Sequence, residues 1–333
     1  MSNTVNTVLG PVPADQLGVV SVHEALLSVL PGAQYAYDVT IDRVEVFATL
    51  KAKLTAFKRA GGGTIVDATG QFHGRDPKLL EALSRTTGVH IVASTGQGPE
   101  ELLGGYFLTP QTNPPTPWPA EKWHELFGTE VSEGMVVPRV ERRGPAGLIA
   151  TAVTRAGATA TDTELLKGSA RAARETGAPV SFVCGSDPLA ELDVVLGEGL
   201  SADRVAVRGL DRADQADTTS FALAVAEKGA YVALDHCGTE GDHTANLGAT
   251  TYLTDAERVT LVTDLIAAGH ADKILLSASA TGAAFGHPAT DVAYTHVLTG
   301  FVPALTAAGV GEEDVRRLLV ANPAALLSLH AAR

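Results

Sequence analysis

The chain is short of cysteine, and the two it has, Cys184 and Cys237, stand far apart. They make no CxxC pair, no zinc-finger spacing and no disulfide framework, so a reducing, cytoplasmic setting is expected. Basic residues are also few: Lys and Arg number 25 against 38 Asp and Glu, for a net charge of -13. Such an excess of negative charge repels phosphate backbones and argues against nucleic acid as a partner. No apolar run of about 18 residues is present, so no membrane span is expected. The first residues, MSNTVNTVLGPVPADQ, lack a basic n-region and an apolar h-region, so no secretory signal is expected either. No GxGxxG or Walker A pattern follows the first apolar run, which weakens a nucleotide-binding reading.

What is present is a regular alternation. Short runs rich in Val and Ile occur at 17–22, 64–68, 89–94, 147–152, 179–184, 204–208, 230–235 and 273–277. Between them lie segments of helical apolar spacing at 44–60, 76–87, 119–133, 162–176, 187–199, 215–228 and 254–269, with a last helical region within 290–329. Thr161-Asp162 and Thr254-Asp255 read as helix starts, and Gly61, Gly88, Gly177, Gly229 and Gly269 as stops. Eight strand–helix units in 333 residues, 45% of them hydrophobic, predict an α/β fold, a single-domain (β/α)8 TIM barrel. A doubly wound open sheet is the alternative. No linker divides the chain. Residues 1–16 are expected to form a hairpin or cover segment over one end of a barrel spanning 17–333.

In such barrels chemistry gathers at the C-terminal strand ends. Here those ends read His23-Glu24-Ala25, Asp67, Ser94-Thr95, Ala150, Val183-Cys184, Arg208-Gly209, Asp235-His236 and Ser277-Ala278-Ser279. A hydrolytic metal centre needs several convergent His, Asp or Lys side chains. Only two imidazoles, His23 and His236, stand at strand ends, and most other slots are small or apolar.

The segments TVLGPVPADQLGVVSVHEALL (7–27), GGGTIVDATGQFHGRD (61–76), VHIVASTG (89–96), TELLKGSARAARETGAPVS (163–181), SADRVAV (201–207), GAYVALDH (229–236) and DKILLSAS (272–279) resemble the phosphotriesterase-related family of the amidohydrolase superfamily. The similarity runs from about residue 7 to 329. It implies a barrel with two divalent metals, usually zinc, and hydrolysis of lactones, esters or phosphotriesters. It also implies a homodimer. The implied ligands are an HxH pair, a carboxylated lysine, two further histidines and an aspartate. Carried over by position, the HxH pair falls on His23 and Ala25, the lysine on Ala150, the two histidines on Val183 and Gly209, and the aspartate on Ser279. Five of those six positions hold no ligand. Metal-dependent hydrolysis is therefore not expected, no cofactor is expected, and zinc enters only if the mechanism survives in altered form. The small residues leave room for a small organic molecule in the barrel mouth. The competing reading keeps an active hydrolase with a rebuilt metal site or metal-free acid/base residues.

Other residues carry weaker signals. Asp235-His236 matches a family position that relays protons and is the candidate catalytic pair. His23 is expected to be a structural histidine donating to a neighbouring strand end, and Glu24 to pair with a basic side chain on the opposite face. Arg208 is expected to pair with Asp67, Asp211 or Asp235, or else to bind a carboxylate or phosphate. The polar segment 235–243, with Cys237, Glu240, Asp242 and His243, is a candidate replacement metal site. Cys184 reads as a buried thiol rather than a nucleophile. Trp118, Trp123, Tyr106 and Phe107 flank the Pro-rich segment 96–119 as a lid, a loop anchor or a dimer contact.

Overall fold

Parallel strands and helices alternate along nearly the whole chain. The computed structural model describes residues 3–330 apart from 72, 104–117, 138–140, 215–216 and 246–247. Strands β1 (Thr4–Thr7) and β2 (Gly10–Pro13) form an antiparallel hairpin. The barrel strands are β3 (Val19–Val29), β4 (Gly62–Asp67), β5 (His90–Thr95), β6 (Leu148–Ala152), β7 (Val180–Val183), β8 (Val205–Arg208), β9 (Tyr231–Leu234) and β12 (Ile274–Leu276). Strands β10 (Gly241–Ala245) and β11 (Gly248–Tyr252) form a second hairpin after β9. Strand β13 (Thr281–Phe285) follows β12, and the nine-stranded parallel sheet runs β12-β9-β8-β7-β6-β5-β4-β3-β13. This is a (β/α)8 barrel whose seam lies between β12 and β3.

Side-chain alternation along the strands separates two cores. Val20, Val66, Val92, Leu148, Ala206 and Leu275 fill the barrel interior, closed below by Val5 of the first hairpin and by Leu326 and Leu327. Their neighbours Ile65, Ile91, Ile149, Phe182, Val207 and Leu276 face outward into the larger core under the helices. Those helices are α1 (Arg43–Arg59), α2 (Pro77–Thr87), α3 (Glu100–Leu103), α4 (Ala120–Ser132), α5 (Ala160–Thr176), α6 (Pro188–Gly197), α7 (Thr218–Glu227), α8 (Asp255–Ala267), α9 (Val302–Ala307), α10 (Glu312–Arg316) and α11 (Asn322–Leu327). No helix of the described residues is long and apolar enough to cross a membrane.

Three departures from the sequence reading matter. Helix α5 starts earlier than expected: Thr159, not Thr161, is its N-cap, in a capping box with Asp162. The first barrel strand runs eleven residues, well past His23. Its polar residues 23 and 24 read as a strand end, but cross-seam hydrogen bonds hold the His23 backbone and the Glu24 carboxyl and the strand continues beside β13. Third, β13 was not foreseen, because TGAAF lacks the β-branched density of the other strands.

Candidate functional site

The pairing of β3 with β4 jumps from Ser21↔Ile65 to Glu24↔Asp67, three residues on one strand against two on the other. This bulge breaks the alternation of faces. Val22 and His23 both point into the barrel: Val22 joins the interior cluster, and His23 Nε2 lies 2.8 Å from Ser181 Oγ on β7. His23 is thus held across the barrel and not by an adjacent strand end, as the sequence suggested. Its Nδ1 is buried and has no partner among the described residues. Burial, aided by the Arg208 guanidinium, pushes its pKa well below the usual value, so the imidazole is neutral.

Glu24 closes the seam. Its Oε1 accepts from Ser21 Oγ at 2.5 Å and from the Ala278 amide at 3.1 Å, and lies 2.9 Å from Ser277 Oγ; Oε2 accepts from the Ala280 amide at 2.6 Å. Ser277 Oγ in turn accepts from the His23 amide at 3.0 Å. The basic partner expected for Glu24 is absent among the described residues. Four neutral donors take its place because β12 ends at Leu276 and turns two amides toward the carboxyl. Burial raises the Glu24 pKa to about 7, with Ser21 and the Ala278, Ser277 and Ala280 donors pulling the other way.

The two amides that Glu24 holds flank Ser279. Ser279 has φ 44°, the one positive φ at a non-glycine among the described residues. Such a conformation costs about 1–3 kcal/mol and persists only where the surroundings impose it. Its Oγ is buried and has no hydrogen-bond partner among the described residues, at a further cost of about 1–3 kcal/mol. Ser277 and Ser279 both belong to the expected end of the last strand. Instead the strand has ended before both: Ser277 is tied into the seam and Ser279 lines the mouth.

The opposite wall is charged. Asp211 Oδ1 lies 3.0 Å from His236 Nδ1, and its Oδ2 accepts from the His236 amide and from Arg258 Nε, both at 3.0 Å. Arg208 Nε donates to Asp235 Oδ2 at 2.6 Å, and Asp235 Oδ1 lies 3.4 Å from His236 Nδ1. Burial alone would raise both carboxyls, but His236 and Arg258 lower Asp211, and Arg208 and His236 lower Asp235. Both are held as carboxylates. The His236 ring stacks on Tyr252 at 4.0 Å between centroids, and Nε2, on the side away from Asp211, has no partner among the described residues. Of the partners considered for Arg208, Asp235 is the one found. The Arg208 Nη atoms have no partner among the described residues.

Between these walls the mouth holds two adjoining cavities, each of about 210 Å³, which share Ala25, Ser28, Val183, Arg208 and Ser279. His23 and Ala150 line the first, Gly209 and His236 the second. Several lining residues carried no signal in the sequence. His73 borders the first cavity, with its pKa lowered to about 4 by burial and by His287. Arg155, Arg212 and Tyr252 border the second. Each lies in a loop or hairpin whose path the strand pattern does not dictate.

The 235–243 segment does not converge on one point. His236 lines the mouth, and the buried Asp235 carboxylate is paired with Arg208. Cys237 is buried with its thiol on the Leu234 carbonyl, Glu240 accepts from the Asp255 amide, and Asp242 accepts from Thr251 Oγ1. His243 borders the second cavity beside Tyr252. Cys184 is buried, and burial pushes its thiol up to about 12. Trp123 is fully buried, stacked with Phe127 and beside Trp118, so it is core and not lid; neither Trp118 nor Trp123 lines the mouth. Tyr106 and Phe107 lie outside the described residues.

The family's two-metal centre does not fit these residues. Ala25, Ala150, Val183 and Gly209 offer no ligand atom, Ser279 offers only a neutral hydroxyl, and the remaining His23 already meets Ser181. Asp211, Asp235 and His236 do bring ligand atoms within 4.8 Å of one another, near enough in principle for one ion. Yet each of these carboxylates already faces a guanidinium, at 3.0 and 2.6 Å. A divalent cation there meets two fixed positive charges.

The sequence profile of the phosphotriesterase family matches residues 3–327, and the chain belongs to that family. An N-acetyltaurine hydrolase of Tetraodon nigroviridis is 27% identical over 360 aligned positions, 97% of each chain. The phosphotriesterase homology protein of Escherichia coli is 24% identical over 312 positions, 93% of this chain and 97% of that one. Among solved structures, a phosphotriesterase-like lactonase variant from Deinococcus radiodurans superposes with a TM-score of 0.86 at 27% identity, over 97% of this chain and 100% of that one. The chain is therefore a divergent phosphotriesterase-like barrel with a degenerate metal site.

Proposed function

We propose that this member of the phosphotriesterase family does not run two-metal hydrolysis and instead binds a small organic anion in its barrel mouth. One observation carries the reading: five of the six positions that would hold the metals line the two adjoining cavities and present no metal ligand, while Arg208 borders both. A bound metal lowers the pKa of water from about 15.7 to about 7. That is worth about 12 kcal/mol at most in nucleophile activation, and no residue at those positions replaces it.

The charge of the anion follows from the walls. In a chain of net charge -13, one cavity is bordered by Arg155, Arg208 and Arg212 against the single carboxylate of Glu101. Arg155 and Arg208 each pair with one aspartate, but the Arg208 outer nitrogens stay open toward the mouth. A planar guanidinium suits a carboxylate or sulfonate. Curated relatives named for hydrolysis of N-acetyltaurine, a sulfonate, are in keeping with an anionic ligand.

The test has two arms. Elemental analysis of protein purified without chelator is expected to find less than one zinc per chain; two per chain would sink the reading. Calorimetric titration with N-acetyltaurine and with an uncharged lactone is expected to favour the anion, and Arg208→Gln is expected to weaken it about 10-fold or more. Equal affinity for both compounds, or none for the anion, also overturns it.

A further inference from the structure

Three features of the mouth are unexplained by anion binding alone. Ser279 is kept in a left-handed conformation by hydrogen bonds that the amides on both sides of it donate to Glu24. Its Oγ is buried at the cavity wall without a partner among the described residues. On the same cavity stands His236, with Nδ1 fixed by Asp211 at 3.0 Å, Asp235 at 3.4 Å, and Nε2 open. A backbone-strained serine and a carboxylate-oriented imidazole that line one cavity are the two groups that nucleophilic acyl transfer requires.

We propose that Ser279 is a nucleophile, served by His236 and Asp211, that accepts acyl groups from small esters without a metal. The inference rests on the metal-free reading above and goes beyond it by assigning a reaction to the pocket. Ser279 Oγ forms a bond to the ester carbonyl carbon while its proton passes to His236 Nε2. Charge on the carbonyl oxygen develops in a cavity walled by the Arg208 and Arg212 guanidiniums. The carbon–alkoxide bond then breaks, and His236 returns the proton to the leaving alcohol. Water reverses the sequence: it gives its proton to His236, bonds to the acyl carbon and releases Ser279, which regains the proton. Ester and water become acid and alcohol, with no other reactant. Asp211 fixes the tautomer, with its own geometry held by Arg258 and by the His236 amide. No Ser279–His236 hydrogen bond exists in the free chain; such bonds commonly tighten only around the substrate.

The test is covalent labelling of chelator-treated protein by a fluorophosphonate, read by intact mass and peptide mapping. One adduct per chain is expected, on Ser279, with fluoride released. His236→Asn is expected to slow labelling about 10²–10⁴-fold. Ser279→Ala is expected to abolish it. Ser279→Gly, which suits φ 44° and so keeps the fold even where alanine does not, must also stay unlabelled. A wild-type chain that takes no label, or a Ser279→Gly chain that labels as fast as wild type, overturns the inference. Zinc content is read on untreated protein, so zinc there ends the metal-free reading whatever the probe does. Failure to label ends only the nucleophile.

Discussion

Glu24 has four donors and no cation, which ties the barrel seam to pH. Its folded pKa, raised to about 7 by burial, lies above the ordinary glutamate value of 4.5. The folded state therefore holds this proton more tightly than the unfolded one. The stability it lends is complete below pH 4.5 and is lost as pH rises through 7. At most this amounts to about 3 kcal/mol. Urea unfolding at pH 5 and pH 8 is expected to show a loss in wild type that Glu24→Gln lacks; an equal loss in both would refute the assignment. At Ser279 the strain has a separate readout. Ser279→Gly relieves a positive φ and is expected to stabilise the chain by about 1 kcal/mol in the same assay. The identities of His23, Ala25, Ala150, Val183, Gly209 and Ser279 were legible as a broken ligand set from the sequence. The contact of His23 with Ser181 across the barrel was not, because it depends on a bulge, and a bulge leaves no mark in the residue pattern.

Between elements, the β8 end is locked to helix α8. Arg258 and Asp211 are both fully buried and 3.0 Å apart, and Arg258 also donates to the Thr239 carbonyl and to Asp255. Removing one partner of a buried pair leaves the other charge uncompensated. Arg258→Met is therefore expected to cost about 3–5 kcal/mol in chemical denaturation. The same variant releases the carboxylate that orients His236. A cap made α8 readable: Thr254, read as part of a helix start, is the N-cap and forms a capping box with Glu257. What escaped was α8's role in the site, since 47 positions separate Arg258 from Asp211 and no periodicity links them. Strand β13 escaped for another reason. It pairs only with the far half of β3, which lies beyond the expected end of the first strand.

At the scale of the whole chain, eight alternating units were enough to give the barrel, because a parallel sheet with helical crossovers has few ways to close. The mouth cluster of Asp211, Asp235, His236, Arg208 and Ser279 comes from separate strand ends, and only closure brings them together. A barrel that does not depend on a metal should be indifferent to its removal. An ion at a hundredfold excess over its Kd lends about 2.7 kcal/mol, a shift of several degrees. Melting in chelator and in added zinc is expected to coincide within error, and a chelator-dependent fall would contradict the degenerate site. Two former ligand positions also differ from a simple loss of side chains. Gly209 sits at φ 75°, where an added Cβ would come within 3.2 Å of Val183 Cγ1, and Ser279 is left-handed as well. Histidine and aspartate grafted onto those backbones would be strained before any ion arrived. The scaffold is committed at these two points: ligands restored there require the main chain to move along with the side chains.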